Sequence, residues 1–512
     1  MQIQKPKGTY DLTTKDAYQR TYLENFIRKI FDSYNYKEIR TPTFENTKLF
    51  KRSIGEETDI VSKEMYSFND GEFTLKPEMT APVIRAYVEN RMFNDAPHQK
   101  LYYISNMFRR ERPQAGRFRE FSQFGAESIG SGEVMADAEM ILLADTILNE
   151  IGLKNFKIRI NSIGTIEERS IFIISLREYL IGFEEDLSND SKRRLVINPL
   201  RILDSKDPKD LEILENAPVL YEYLSEDSKK HFESLIELLN SISDKLSIDY
   251  KLVRGFDYYT STTFEFISSA IGSQNALLGG GRYDMLAEHL GAKPTPAIGF
   301  AAGFERIEMA LKAESAIIPD GSELLLYVCS AGENPRSRIL QIITSLRSKG
   351  IKCETDFLGR SVKSQMKEAD RMKAKYVIVL GDNEIESNSA EIKSMFDGSV
   401  IKIEGLDKII NYLKMRTKQV RPDKLEFEYE LYVSKGHDDI QKKDFIEFEF
   451  RTIKVFENFA YKINVIPNIT ANKKELAFNI EGLSAPHLDF SRSGPASFVF
   501  RFFDFFRNRS IH

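Results

Sequence analysis

The spacing of apolar positions changes repeatedly along the 512 residues, and the changes divide the chain into regions. Residues 16–33 place Tyr18, Tyr22, Phe26 and Ile30 at helical spacing and predict an amphipathic helix, which leads into a short strand over 36–39 closed by Arg40-Thr41-Pro42. A strand over 73–75 ends in Lys76-Pro77-Glu78-Met79-Thr80, where proline stops ladder pairing and a helix begins, so Glu78 falls at a strand-to-helix corner. Strand patterns at 101–109 and 117–127 flank the turn residues 113–116 and predict a hairpin. In its second strand, period two puts Arg117, Arg119, Gln123, Gly125 and Glu127 on one face and Phe118, Phe124 and Ala126 on the other. Gly125 then leaves a side-chain gap on the polar face, between an amide and a carboxylate, where a small ligand could lie against the backbone.

From about 164 to 244 the sequence turns highly charged and Leu/Ile-rich with helical spacing, the pattern of an inserted helical region. Strand chemistry returns in LVRGFDYYTSTTFEF (252–266), ALLGGGRYDML (276–286) and PAIGFAAGFERIEMAL (296–311). The glycines at 279–281 permit close backbone approach just before Arg282 and Tyr283. In the third run a strand through Ile298 and Phe300 passes Gly303 into a helix whose first turn holds Arg306; a cation at the positive end of a helix points to an anionic ligand. Beyond Pro319-Asp320-Gly321 the pattern alternates: strand ELLLYVCS, helix 338–350, strand IKCETDF, helix 363–373, strand AKYVIVLGD. That order predicts an α/β domain with a largely parallel sheet, and it contains no GxGxxG or GxxxxGKS loop. Residues 421–512 are Phe-rich and alternate in FEYELYV and FIEFEF, predicting a β-rich appendage. Its run FVFRFFDFFRN (498–508) is too apolar for a free tail and is expected to pack on the rest of the protein or on a second subunit.

Composition narrows the class. A hydrophobic content of 42% suits soluble cores, and the length suits about three or four domains. No apolar run reaches about eighteen residues and MQIQKPKGTYDL lacks a signal-peptide core, so the expected location is cytoplasmic, with no membrane contact. Cys329 and Cys353 are too few for a disulfide framework or a zinc site; they read as packing, and no zinc is expected. A net charge of −5 excludes binding nucleic acid through bulk electrostatics, so any RNA contact must be local. Against that acidic background, five arginines fall between Arg109 and Arg119. Guanidinium forks match pairs of oxygens on phosphates and carboxylates, so the hairpin implies an anionic substrate; an ion-paired edge strand beside a solvated loop is the plainer alternative. For Glu78 the plainer alternative is compensation of a helix dipole.

The ordered set KPEMT, FRRERPQAGRFREFSQFGAE, LVRGFDYYTSTTFEF, GGGRYD and PAIGFAAGFERI, spread over residues 1–414, resembles the histidyl-tRNA synthetase family of class II aminoacyl-tRNA synthetases. The resemblance implies an α+β catalytic core on an antiparallel sheet over 1–320 with the helical insertion at 164–244, an α/β anticodon-binding domain over 322–415, and, beyond both, the β-rich appendage 421–512. It implies a homodimer with the 16–33 helix and the strand after it at the interface. The activity implied is ATP-dependent activation of L-histidine, with ATP arriving as its Mg²⁺ complex, and transfer to histidine tRNA. Carried over by position, Arg109 and Arg254 are the catalytic cations. Arg109, Glu111, Arg117 and Arg306 hold ATP, and Glu78, Thr80 and Gln123 take the α-ammonium of histidine. Glu127 and Tyr259 take the imidazole, with Tyr258 and Tyr283 close by and Arg254 beside the reacting groups. Arg112 and Gln114 read the extra 5′ guanosine of the tRNA, and Mg²⁺ ligands are unassigned. Two rivals stand beside this reading: a catalytically silent histidine-binding regulatory subunit of ATP phosphoribosyltransferase, and a nonenzymatic RNA-binding protein using the Arg-rich hairpin. The chain departs from the family in residues 421–512 and in a loop at 388–398 that reads as shortened.

Overall fold

Thr14–Ser33 forms helix α1, but its buried face is Arg20, Leu23, Ile27 and Phe31, whereas Tyr18 and Tyr22 are exposed. The aromatic ladder predicted from sequence therefore marks the flank of the helix; the aliphatic stripe one position along is what meets the core, with Phe26 and Ile30 packed at its edge. In the computed structural model, residues 3–55, 58, 60–272, 275–319, 321, 324–396, 398–405, 408–409, 412–413, 429–438, 443–456, 462–469, 476–484 and 494–502 are described. They fall into two units, Met1–Gly321 and Ser322–His512.

After α1 come β1 (Lys37–Glu38), β2 (Phe44–Asn46), α2 (Thr47–Ile54), β3 (Tyr66–Phe68) and β4 (Phe73–Leu75), the last three strands pairing in the order β2-β4-β3. Helix α3 (Thr80–Glu89) precedes the hairpin β5 (Gln99–Phe108) and β6 (Glu120–Ile129), and α4 (Val134–Glu150) leads to β7 (Lys157–Ser162). The predicted insertion is helical: α5 (Ile166–Ile181), α6 (Asn189–Ile197), α7 (Pro208–Leu214) and α8 (Glu226–Asn240). A reciprocal capping box between Thr165 and Glu168 starts α5. Then follow β8 (Leu246–Ile248), β9 (Thr260–Ile267), β10 (Ala276–Arg282), α9 (Leu286–His289), β11 (Ala297–Gly303) and α10 (Phe304–Ala313).

Eight of these strands form one sheet in the order β1-β5-β6-β11-β10-β9-β7-β8, antiparallel from β5 through β7 and parallel only at β1/β5 and β7/β8. One face carries Phe124, Ala126, Phe264, Phe266, Leu278, Ile298 and Phe300, all buried against α1, α4, α8 and α10. Truncating a phenylalanine such as Phe124 in that layer is expected to cost about 3–5 kcal/mol. The other face carries the site. Strand β6 begins at Glu120, three residues later than its alternation predicts: Arg119 O still accepts from Arg109 N (2.9 Å), but Arg119 N donates to Gly8 O (2.8 Å) and its guanidinium to Glu111 O (3.2 Å).

In the second unit, β12 (Leu324–Ser330), α11 (Arg336–Arg347), β13 (Cys353–Thr355), α12 (Val362–Arg371) and β14 (Ala374–Leu380) alternate as predicted, followed by α13 (Asp382–Glu386), β15 (Ser389–Ser394) and β16 (Val400–Glu404). The sheet runs β13-β12-β14-β15-β16; its first three strands are parallel, but β14, β15 and β16 are antiparallel neighbours, so it is mixed rather than largely parallel. The stretch read as a shortened loop contains strand β15: Ala390 and Ile392 are buried, a period-two spacing that the polar neighbours in SAEIKS mask. Cys329 and Cys353 are both free and buried, and burial pushes the Cys329 thiol up to about 12. Strands β17 (Tyr429–Asp438), β18 (Lys443–Phe456), β19 (Lys462–Ile469), β20 (Leu476–Ser484) and β21 (Gly494–Phe502) make a separate sheet in the order β17-β18-β21-β19-β20, with Phe448, Phe450, Ile463 and Val465 buried together. Of the apolar run 498–508, Phe498 and Phe500 pack at that cluster, and residues 503–508 lie outside the described set. Among the described residues no helix is long and apolar enough to cross a membrane.

Candidate active site

Glycines pave the polar face of the large sheet. Register aligns Glu127 with Gly299 and Gly299 with Gly281, then Gly125 with Ala301, Ala301 with Gly279 and Gly279 with Glu265. Directly opposed residues share a face, so these rows form a floor of hydrogen and methyl groups with acids at its margins. Above it lies a cleft of about 780 Å³. A Cβ on Gly279 would run into the Arg254 guanidinium, and one on Gly299 into the Glu127 carboxylate. Gly125 has a different role from the one predicted. Its side-chain gap is filled by the Tyr103 hydroxyl and the Phe300 carbonyl, so it serves internal packing and holds no ligand space.

One end of the cleft is a buried acid network. Thr80 Oγ1 donates to Glu127 Oε1 (2.9 Å), and the Tyr283 hydroxyl donates to Glu127 Oε2. Glu78 accepts from the backbone N–H groups of Thr80 (2.7 Å) and Ala81 (3.0 Å), which start α3; the carboxylate thus caps a helix and also lines the cleft. Burial pushes the Glu78 carboxyl up to about 7 and the Glu127 carboxyl up to about 8, the backbone and side-chain donors only partly offsetting it. Glu127 and Tyr283 sit just behind the cleft surface, whereas Glu78, Thr80, Gln123, Tyr258 and Tyr259 line it. The Tyr258 and Tyr259 rings lie tilted against each other with centroids 4.7 Å apart, and Tyr258 meets Tyr283 edge-on at 5.8 Å. The buried Gln123 Oε1 has no hydrogen-bond partner among the described residues, and Gln123 lines the cleft, so the spare acceptor would suit a cationic ligand group.

The other end is cationic. Arg109 Nε donates to Pro77 O (2.9 Å), its guanidinium lies 5.1 Å from the Phe121 ring centre, and its Nη1 is 3.8 Å from Glu111 Oε1. Arg117 Nη1 is 3.3 Å from Glu111 Oε2. Arg306 Nη1 donates to Ala276 O (2.9 Å), and burial, then the charge of Arg117, holds its guanidinium below the usual arginine range. Arg254 Nη1 is 3.1 Å from Glu265 Oε1, and its Nε has no partner among the described residues. These four guanidinium groups share two carboxylates, Glu111 and Glu265, an imbalance that an incoming polyanion would correct.

The hairpin's five arginines therefore divide by task. Arg109 and Arg117 face the cleft; Arg110 is spent on Lys63 O and Arg119 on Glu111 O and Lys7 O, so both tether the turn. Arg112 and Gln114 are exposed at the turn, where Gln114 pairs with Arg117 across Ala115 and Gly116, and neither lines the cleft. Arg282 of GGGRYD is buried and bound to Asp137 and Asp284, so it is a structural tie. Sequence reasoning missed Glu265, whose signal was a lone acid in the strand TSTTFEF, and missed Arg201, Asp204 and Lys206, by which the insertion reaches the cleft wall.

A family model described as histidyl-tRNA synthetase matches residues 8–168 and 189–307, and one described as an anticodon binding domain matches 326–416. A histidine–tRNA ligase of Streptococcus pyogenes serotype M28 is 42% identical over 417 residues, covering 80% of this chain and 98% of that protein. The crystal structure of apo S. aureus histidyl-tRNA synthetase is similar at a TM-score of 0.69 and 36% identity, covering 81% of this chain and 100% of its own. Histidyl-tRNA synthetase from Nostoc sp. PCC 7120 shares the fold at a TM-score of 0.61 and 20% identity, over 81% and 100% of the two chains.

Proposed function

The chain belongs to the histidyl-tRNA synthetase family, and on that premise we propose a division of labour between the two ends of its cleft. As a histidine–tRNA ligase it joins L-histidine to ATP, giving histidyl-adenylate and pyrophosphate, and then transfers histidine to the 3′ end of histidine tRNA. In the first step the substrate carboxylate attacks the α-phosphorus, so negative charge gathers between two anions. Arg109 and Arg254 lie on the wall where that charge develops, and fixed guanidinium groups stabilise it without reorganising. Arg117, Arg306 and Glu111 hold the ATP, which enters as its Mg²⁺ complex, and the ion travels as part of the substrate.

Histidine occupies the acidic end. Its α-ammonium meets Glu78, Thr80 and the unpaired Gln123 Oε1, and its ring lies along Tyr258 and Tyr259 toward Glu127. A neutral imidazole offers one donor and one acceptor, which a carboxylate and a phenol satisfy from opposite sides. Arg112 and Gln114 at the exposed turn meet the extra 5′ guanosine of the tRNA, beyond the cleft. The working form is a cytoplasmic homodimer with α1 and β1 at the interface.

The observation that carries this reading is the pairing of a cation cluster and a buried acid network across one glycine floor. ATP–pyrophosphate exchange, run with each of the twenty amino acids, tests it: histidine-dependent exchange is expected, and its absence from folded protein with Mg²⁺ present would refute the assignment of roles.

A further inference from the structure

Residues 252–259 carry Arg254, Tyr258 and Tyr259 into the cleft, yet none of them belongs to a helix or strand. What fixes such a segment must come from its neighbours, because no ladder holds its backbone. Two arginines of the helical insertion do so. Arg201, in the short 3-10 turn Pro199–Ile202, donates through Nη2 to Gly255 O (2.7 Å) and lies 3.5 Å from Asp257 Oδ1. Arg169, on the first turn of α5, donates through Nη1 to Tyr259 O (2.6 Å). Where the insertion begins, Ser261 N donates to Gly164 O (2.8 Å) and Ile163 N to Ser261 O (2.7 Å), and these bonds hold Ser261 at φ +46°. A serine in left-handed conformation is strained and persists only where its surroundings over-determine it.

We propose that the helical insertion sets the geometry of the reacting groups through these two side chains, Arg201 positioning Arg254 and Arg169 positioning the tyrosine pair. The proposal rests on the ligase reading above and adds residues that act through others. Arg201 holds the carbonyl of Gly255, the residue directly after Arg254, so its loss misplaces the guanidinium that faces the α-phosphate. Arg169 holds the carbonyl of Tyr259, so its loss loosens the wall along which histidine lies. The two losses therefore fall on different kinetic constants.

The test is histidine-dependent ATP–pyrophosphate exchange by full-length Arg201→Met and Arg169→Met, which keep the apolar stem and remove the donors, beside the two Arg→Lys variants. Arg201→Met is expected to lower kcat about 10- to 100-fold with histidine KM little changed, and Arg169→Met to raise histidine KM by about 10-fold or more with kcat little changed, the range a misplaced group produces. Lysine, which restores one donor, should recover part of each loss. Parental kcat and KM in both methionine variants would overturn the proposal, as would a change confined to the KM for ATP, which would make Arg201 a nucleotide contact. Losses that follow a lowered thermal midpoint without recovery in the lysine variants would also overturn it. If the methionine variants do not fold, the lysine variants decide alone: the same split in weaker form supports the proposal, and parental constants sink it. Absence of exchange in the parent protein would instead strike the ligase reading itself.

Discussion

The two ends of the cleft solve opposite electrostatic problems. At the acidic end Glu78 and Glu127 are buried, their oxygens already taken by Thr80, Ala81 and Tyr283, so a ligand must exchange for bonds that exist. At the cationic end Arg109, Arg117, Arg254 and Arg306 are only partly buried and outnumber the carboxylates beside them, so a ligand supplies charge that is short. A closed network discriminates, because a wrong ligand leaves its groups unpaired. An open cluster accelerates, because its charge is most valuable where new negative charge forms.

Removing charge from the open end should therefore have the largest effect. Arg109→Ala or Arg254→Ala is expected to slow adenylate formation by about 10²- to 10³-fold, the loss typical of one preorganised donor, with circular dichroism unchanged. Parental exchange rates in either variant would erase the contrast.

The closed end should announce itself in pH dependence. Burial raises the Glu78 and Glu127 carboxyls from 4.5 to about 7 and about 8, so the folded, ligand-free protein holds protons that the unfolded chain has released. Their contribution to stability is thus complete below about pH 4.5 and lost as pH rises through 7 to 8. Histidine binding runs the other way at Glu78: the ammonium favours its charged carboxylate, so affinity should rise by up to about tenfold between pH 6 and 8, with proton release. Calorimetric titration in buffers of differing ionisation heat measures the release. No release, or affinity that falls over this range, would mean that Glu78 does not face the ligand's cation.

The smallest effect is expected at the turn, outside both ends. Arg112→Ala should reduce preference for tRNA carrying the extra 5′ guanosine by about fivefold or more, near the lower bound for one guanine contact, and leave pyrophosphate exchange untouched. Equal charging of both tRNAs by parent and variant would remove Arg112 from recognition.

How much of this was legible follows from where each bond ends. Side chains on β6 could be placed on a face by counting in twos, and Gln123 and Glu127 do share one. The acceptors could not be read, because Arg109, Arg306, Arg169 and Arg201 all end on backbone carbonyls of distant segments, which every residue possesses. Gly125 misled for a related reason: a missing side chain on one strand says nothing about whether Tyr103, opposite it on β5, fills the space. The α1 face was misplaced because tyrosines at helical spacing look apolar while their hydroxyls favour the rim.

The glycine floor has a consequence for how this protein can change over generations. Any single-base change that replaces a glycine introduces a side chain or stops translation. At Gly279 and Gly299 the first carbon of that side chain already collides with the Arg254 guanidinium or the Glu127 carboxylate. Neither position offers a graded series of intermediates, so selection meets a cliff there, whereas the exposed turn at Arg112 offers a slope. Variation in what the cleft accepts must therefore enter through its walls.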